Sequence, residues 1–468
     1  MVENSREEKR KHFPEVLPLR KLMGPSFLML ALGFGSGEVI LWPYLSSNYG
    51  LGIAWGALLG ITFQFFINME IERYALAKGE SVFVGIHRLF PWSVYWFIVS
   101  TFVGFGLPGI IAASAQVLSS LFGLGDFRWL AALMLIAIGL IVSLGKTVYD
   151  TLEHLTRWII AIAIPFIIFL AFFLTSWSDW QQLFAGLIGQ GDGYRWLPSG
   201  ISMVAFFAAF AYSGAGGNLN LAQSIYIREK GYGMGIHAQK IGSLFHRRQQ
   251  QEVRLEGHDF IATEDNQRKF NQWWRKINVE HGIIFWFLGW LAIALLMVLA
   301  HATTHGLPGN TEGIKFVINE GLIMSGQMGR MAGTAFLLIV SVMLFQTQLG
   351  VTDSTSRIMA ENVALRLLKR GQKTINLAQI YFFFVWAQII FGIVLFTFNI
   401  AEPRLLIISG AIINAVAMFV HIGLVNWTNF RLLPRSVQPK LWRRIIMLII
   451  FLFFGFFSAL TLSQYWPW

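Results

Sequence analysis

Cysteine is absent from the 468-residue chain. That excludes disulfides, thiolate metal ligands, iron–sulfur clusters and a cysteine nucleophile together, so any bound metal must meet oxygen, imidazole or thioether. Charge is scarce too: Asp, Glu, Lys and Arg make up 13% of residues against 55% hydrophobic ones, far too few to clothe a soluble domain of this length. Enzymatic signatures are also missing. There is no HExxH, no GxxxxGK[ST] phosphate loop and no GxSxG elbow, so membrane protease, nucleotide-driven pump and lipase readings have no residues to rest on. The chain reads as neither an enzyme nor a cofactor carrier, and any uphill transport would draw on an ion gradient or the membrane potential.

What is present is apolar sequence in blocks. Stretches long enough to cross about 30 Å of hydrocarbon, roughly 20 residues each, occur near 24–46, 50–72, 92–121, 128–145, 155–176, 198–226, 280–301, 328–352, 375–398, 403–427 and 444–464. We refer to them as helices 1 to 11. The first follows a charged stretch ending at Arg20 and Lys21 and shows no small-residue cleavage site, so it reads as a retained helix rather than a signal peptide. The formal charge of +11 would suggest nucleic acid in a soluble protein, but topology accounts for it. With the N-terminus inside, all but five of the 36 Lys and Arg residues (Arg128, Arg195, Lys315, Arg330 and Arg404) fall on the cytoplasmic side. That predicts a multi-pass protein of the plasma (bacterial inner) membrane, N-terminus in and C-terminus out, partnered by lipid and not by nucleic acid.

Residues 1–23 form a basic N-terminus, and the longest polar stretch is an insertion at 228–279 carrying His246-Arg247-Arg248. Within it Phe270, Trp273, Trp274 and Ile277 recur at helical spacing, with Arg268, Lys269, Arg275 and Lys276 on the other faces. This pattern predicts an amphipathic helix lying on the inner membrane surface.

Two helices are interrupted by glycine. Helix 1 carries Gly33-Phe34-Gly35-Ser36-Gly37-Glu38 and helix 6 carries Ser213-Gly214-Ala215-Gly216-Gly217-Asn218. Each glycine costs about 1 kcal/mol in a helix relative to alanine, so such clusters predict unwound segments. Unwound backbone is tolerated at bilayer depth where it lines a cavity. A pair of broken helices at corresponding places predicts an inverted repeat, with helices 1–5 (24–176) and 6–10 (198–427) as its halves and helix 11 (444–464) added. Glu38 is the leading candidate for function, because a carboxylate near the bilayer centre costs about 2.5–3.5 kcal/mol on insertion scales and needs a partner. A bound cation, a proton, or donors such as Ser36, Asn218 and Gln346 could supply it.

Other intramembrane polar residues read as structural. Gln64, Gln116, Gln346, Gln348, Gln388 and Asn414 are expected more often to bond between helices than to bind a ligand, and His421 to be a satisfied core histidine. Asp353 and Arg357 have ion-pair spacing. Glu70, Glu72 and Arg73, and Glu153 with Arg157, stand at helix ends as gate or anchoring groups or, more simply, as solvated surface.

The run GPSFLMLALGFGSGEVILWPYLSSNYGLGIAWGALLG, SAQVLSSLFG at 114–123, LE at 152–153 and Gln346-Thr347-Gln348 resemble the Nramp divalent-metal transporters. The resemblance implies an all-α integral membrane protein with eleven helices in the leucine-transporter-type 5+5 inverted repeat. It implies that the family's Asp-Pro-Gly-Asn falls on Gly35, Ser36, Gly37 and Glu38, its Met-Pro-His on Gly216, Gly217 and Asn218, and a carbonyl ligand on Ser213. The helix 6 thioether is thus lost and the carboxylate moved. The family's helix 3 proton-relay acids correspond to Leu107 and Ile110, which carry no protons. The expected ligand set is Glu38, Gly35, Ser213, Gly216, Asn218 and Gln346. The expected cargo is a hard, magnesium- or manganese-like divalent cation, moved without proton coupling. A cation-coupled symporter of a small organic solute on the same fold is the alternative, and a non-transporting membrane scaffold or sensor is a third reading.

Overall fold

The computed structural model describes residues 10–19, 22, 24–144, 148–239, 251–372 and 374–465; His246, Arg247 and Arg248 lie outside them. Among the described residues ten helices are long and apolar enough to cross a membrane. The crossing expected at 198–226 is not one of them, because it is two short helices, Met203–Ala211 (6a) and Leu219–Lys230 (6b), separated by an irregular segment. Ser202 starts 6a by accepting a hydrogen bond from the Ala205 amide, which satisfies one of the orphan donors of a first turn.

Helix 1 is interrupted more gently. Its first half, Pro25–Gly33 (1a), begins on a proline whose missing N–H costs nothing at that position. A turn at Phe34–Ser36 leads into a π-helical stretch, Gly37–Leu41, and then Trp42–Tyr49, which together make 1b. The expected unwound segment is therefore three residues of turn followed by one wide helical turn, a form that recurs at functional sites.

Two helices run well past their apolar windows. Helix 7 spans Glu264–Thr304 and helix 8 Arg330–Lys369. The helix expected to lie on the membrane surface is the first part of helix 7. Its apolar face is turned into protein: Phe270, Trp273 and Ile277 are buried, and Trp273 Nε1 donates to the Pro14 carbonyl at 3.1 Å. The N-terminal stretch is the cover, since the rings of Phe13 and Phe270 meet edge-on with centroids 5.7 Å apart. Three short strand pairs tie down the polar segments: Arg10–Lys11 with Asp259–Phe260, Gln190–Gly191 with Tyr194–Arg195, and Gln251–Glu252 with Thr374–Ile375.

Helix 8 packs on helices 1a, 3 and 6b, helix 2 on 6b, helix 7 on 1b, and helix 10 on 6a and 11. The two broken helices thus sit at the centre, packed on by the others. Both face the buried interior, where an irregular backbone can be satisfied by protein rather than lipid.

Candidate functional site

The breaks in helices 1 and 6 touch. A Cβ added to Gly37 would stand 1.8 Å from the Tyr212 carbonyl oxygen, and one on Gly35 would meet the Thr347 side chain of helix 8 at 2.4 Å. Glycine is required at Gly37 because backbone lies against backbone, and at Gly35 because the Thr347 side chain fills the space. In the helix 6 break, Gly214, Gly216 and Gly217 have φ of 105°, 68° and 53°, left-handed values that L side chains disfavour. These angles turn the chain out of helical register and free its amides for other partners.

One of those amides holds Glu38. The Gly214 N–H donates to Glu38 Oε1 at 2.8 Å, bonding one break to the other. The Glu38 side chain is fully buried, and its second oxygen, Oε2, has no hydrogen-bond partner among the described residues. A buried carboxylate oxygen without a donor is costly unless a cation or proton meets it. The second wall is made by Ser213, whose hydroxyl accepts from Trp42 Nε1 at 2.8 Å and donates to the Ala209 carbonyl at 3.0 Å. The hydroxyl's proton and one of its two lone pairs are thereby engaged, and it is the Ser213 carbonyl that the sequence resemblance offers to a cation.

The other expected ligands are placed differently. Asn218 Nδ2 donates to Ser100 and Thr101 of helix 3 at 2.8 and 2.9 Å, leaving its buried Oδ1 unpartnered. The Gly216 carbonyl accepts from the Leu219 amide at 3.2 Å, in the first turn of 6b. Gln346 Nε2 donates to Thr156 of helix 5 at 2.8 Å. The residue of helix 8 that meets helix 1 is Thr347, whose hydroxyl donates to the Ala31 carbonyl at 3.0 Å. One residue along a helix is a turn of about 100°, and that decides which of the two polar side chains reaches the break.

Thr347 and Tyr212 are functional candidates that sequence reasoning missed. Tyr212 OH accepts from Asn414 Nδ2 at 2.8 Å, and Asn414 also donates to the Gly104 carbonyl at 3.0 Å, tying helix 10 to helix 3 and the helix 6 break. A thioether does reach this region, from helix 10: Met418 Sδ lies 3.8 Å from Gln64 Nε2, which also donates to the Ala211 carbonyl. Leu107 and Ile110 of helix 3 flank an interruption at Pro108.

From Gln64 a column of polar side chains runs toward the end of the bundle that bears the basic segments. Asn220 of 6b donates to both Gln64 and Asn68 of helix 2. Asn68 Nδ2 is 3.3 Å from His281 Nε2, so an amide donor faces that ring nitrogen and the ring proton belongs on Nδ1. Nδ1 then donates to Ser26 Oγ at 2.7 Å, and Ser26 donates to Glu280 Oε2 at 2.6 Å. All of these side chains are buried.

At that end the charged groups expected on the surface are interior. Glu70, Glu72, Arg73 and Glu153 are buried; Arg73 Nε meets Glu70 at 2.7 Å, and Glu153 pairs with Arg157 and, at 2.7 Å, with Lys230. Asp353 and Arg357 form their pair at 2.8 Å, and Arg357 also holds Glu229 at 3.0 Å. Arg228 clasps Glu361 through both guanidinium nitrogens at 2.8 Å. His421 is buried, but neither ring nitrogen has a partner among the described residues, against the expectation of a satisfied histidine.

No family model matches the sequence, and no curated protein matches it. Solved structures do share its fold. The chain is similar to a mutant of the Eremococcus coleocola manganese transporter at TM-score 0.71 and 12% identity, over 96% of this chain and 89% of that one. It is similar to the same transporter in complex with an aromatic bis-isothiourea substituted compound at TM-score 0.70 and 12% identity, with the same coverage. MhsT in complex with L-phenylalanine matches at TM-score 0.50 and 13% identity, over 94% of this chain and 98% of that one. The fold is therefore the all-α membrane fold that these solved transporters share, with helices 1 and 6 broken, as the sequence resemblance implied.

Proposed function

We propose that this chain is a secondary transporter that carries a hard divalent cation, manganese- or magnesium-like, through the contact between the two broken helices. The observation that carries the reading is Glu38: one oxygen held by the Gly214 amide, the other buried and unpartnered. Among the described residues no group of three or more His, Cys, Asp or Glu could hold a metal. A cation here would meet one carboxylate, backbone carbonyls such as that of Ser213, and retained water. Magnesium keeps water readily and manganese accepts the same oxygen set, whereas softer metals favour imidazole and sulfur. Met418 sulfur accepts a weak contact from Gln64 Nε2 at 3.8 Å.

The crowding of the breaks supports an ion over an organic solute. There is no room for a methyl group between Gly37 and Tyr212 or between Gly35 and Thr347, so the site as it stands encloses something small. The fold shared with a manganese transporter supports the same cargo. The polar column from Gln64 to Glu280 would let a partly hydrated ion leave toward the basic end, which we assign to the cytoplasm of a plasma membrane, with the C-terminus outside.

The test is uptake of manganese and magnesium into proteoliposomes by the wild type and Glu38→Gln. A charge-assisted contact is worth about 1.5–3 kcal/mol, so removing the charge while keeping the shape should weaken apparent affinity at least about tenfold. Thermal stability should hold or rise, because a costly buried charge has gone. Normal uptake by a normally folded Glu38→Gln would end the proposal and put the organic-solute reading ahead.

A further inference from the structure

Where the first turn of helix 11 meets helix 2 and the extended start of helix 7, the basic end of the bundle holds a groove of about 800 Å³. Arg73, Arg435, Lys440, Arg443, Arg444 and Trp274 line it. Two of the cations are spoken for: Arg73 and Arg443 share Glu70, at 2.7 and 3.0 Å, and the two guanidinium groups also sit over the Trp274 ring, 3.9 and 5.0 Å from its centroid. Arg444 is steered by neutral oxygens, the Pro439 carbonyl and Gln438 Oε1, both at 2.8 Å. Arg435 and Lys440 are exposed and make no ion pair among the described residues. The groove thus carries a strong positive excess that its one buried acid does not cancel.

The groove continues onto a surface built for acyl chains. Leu441 and Trp442 border it, and Leu441, Ile445, Leu448, Ile449 and Leu452 form an exposed apolar stripe down helix 11. A free anion would have no use for that stripe, whereas a lipid fills groove and stripe at once.

We propose that this groove binds the phosphate headgroup of an anionic phospholipid, with its chains laid along the exposed face of helix 11. Cations at a membrane boundary attract anionic headgroups, and tryptophan settles at the same depth. A lipid there would link helices 2, 7 and 11 across the outside of the bundle, and it would do so whatever the transporter carries.

The experiment measures thermal melting of purified protein in detergent micelles containing phosphatidylglycerol, phosphatidylcholine or glycerol phosphate alone, for the wild type and for Arg435→Gln with Lys440→Gln. Both substitutions are on exposed side chains that hold no structural partner, so the variant should melt as the wild type does without lipid. Phosphatidylglycerol should raise the wild-type melting temperature with dose, less so at high salt, and the rise should fall by more than half in the double variant. An equal rise in both proteins would overturn the proposal. So would an equal rise with phosphatidylcholine, which would mean that apolar contact alone is at work, or with glycerol phosphate, which would mean a soluble anion site.

Discussion

Replacing Gly37 with alanine tests whether the contact between the two breaks is where transport is decided. The added Cβ would lie 1.8 Å from the Tyr212 carbonyl oxygen and 2.6 Å from its carbon. Both are backbone atoms, so relief requires the helices to part by more than an ångström. The Gly214 amide, two residues beyond Tyr212, would then leave the 2.8 Å bond it makes to Glu38. Overpacking of this kind costs about 1–3 kcal/mol, loss of the Gly214 bond to the buried Glu38 carboxylate adds about 1.5–3 kcal/mol, and the gain from alanine in a helical position returns about 1 kcal/mol, so the net loss of stability should be about 1.5–5 kcal/mol. Displacement of a binding group by about 1 Å can cost about 100-fold in rate. Gly37→Ala should therefore fold but melt clearly earlier than wild type, and lose nearly all uptake in proteoliposomes at temperatures where it is still folded. The control is Gly326→Ala, inside the helix Lys315–Met328, where an added Cβ meets nothing within 4 Å; it should transport normally. Wild-type uptake by Gly37→Ala would show that the breaks do not need to touch, and the site argued above would be wrong.

Two further outcomes follow from the charged groups. Glu361→Gln should cost about 3–5 kcal/mol by thermal denaturation, because it strands the buried Arg228, whereas Arg228→Met with Glu361→Leu should cost much less; equal losses would mean that the pair is effectively solvated. Outside the membrane helices, burial tends to raise the Asp179 carboxyl, but hydrogen bonds from the Ser176 side chain and amide and the nearby His301 outweigh it and hold the carboxyl below its usual value. A depressed folded-state value means stability that is present above the unfolded value, near pH 4, and lost as pH falls through the folded one. The melting difference between wild type and Asp179→Asn should shrink on acidification below that point, and a difference that grows would refute the sign.

The helices and the breaks were legible in sequence for different reasons. Apolar windows mark crossings because lipid demands them, and glycine clusters mark breaks because glycine is expensive in a helix. Glu38 could be singled out on cost alone. Its partner could not, since the donor is the Gly214 backbone and backbone geometry leaves no residue type to read. The continuity of the amphipathic helix with helix 7, and the extension of helix 8, were hidden because hydropathy stops where Glu280 and Asp353 begin, although both are buried and partnered. The same rule misread Glu70 and Glu72 as surface: a charge looks solvated in sequence until the structure shows what satisfies it. Gln346 was chosen over Thr347 because composition sees polarity and not azimuth.

The last turn of 6b shows why the irregular segment above it matters. Arg228, Glu229 and Lys230 are consecutive, and they hold Glu361 and Arg357 of helix 8 and Glu153 of helix 5. A continuous helix 6 would transmit any movement of these anchors along its full length, since a helix is stiff along its axis. With the chain unwound between Ala211 and Leu219, the left-handed Gly214, Gly216 and Gly217 stand between 6a and 6b as a glycine hinge. The amide that grips Glu38 belongs to that hinge. If the Glu38 site takes the proposed cation, an ion that draws Glu38 away from the Gly214 amide would act directly on the segment that joins 6b, with its anchors, to 6a.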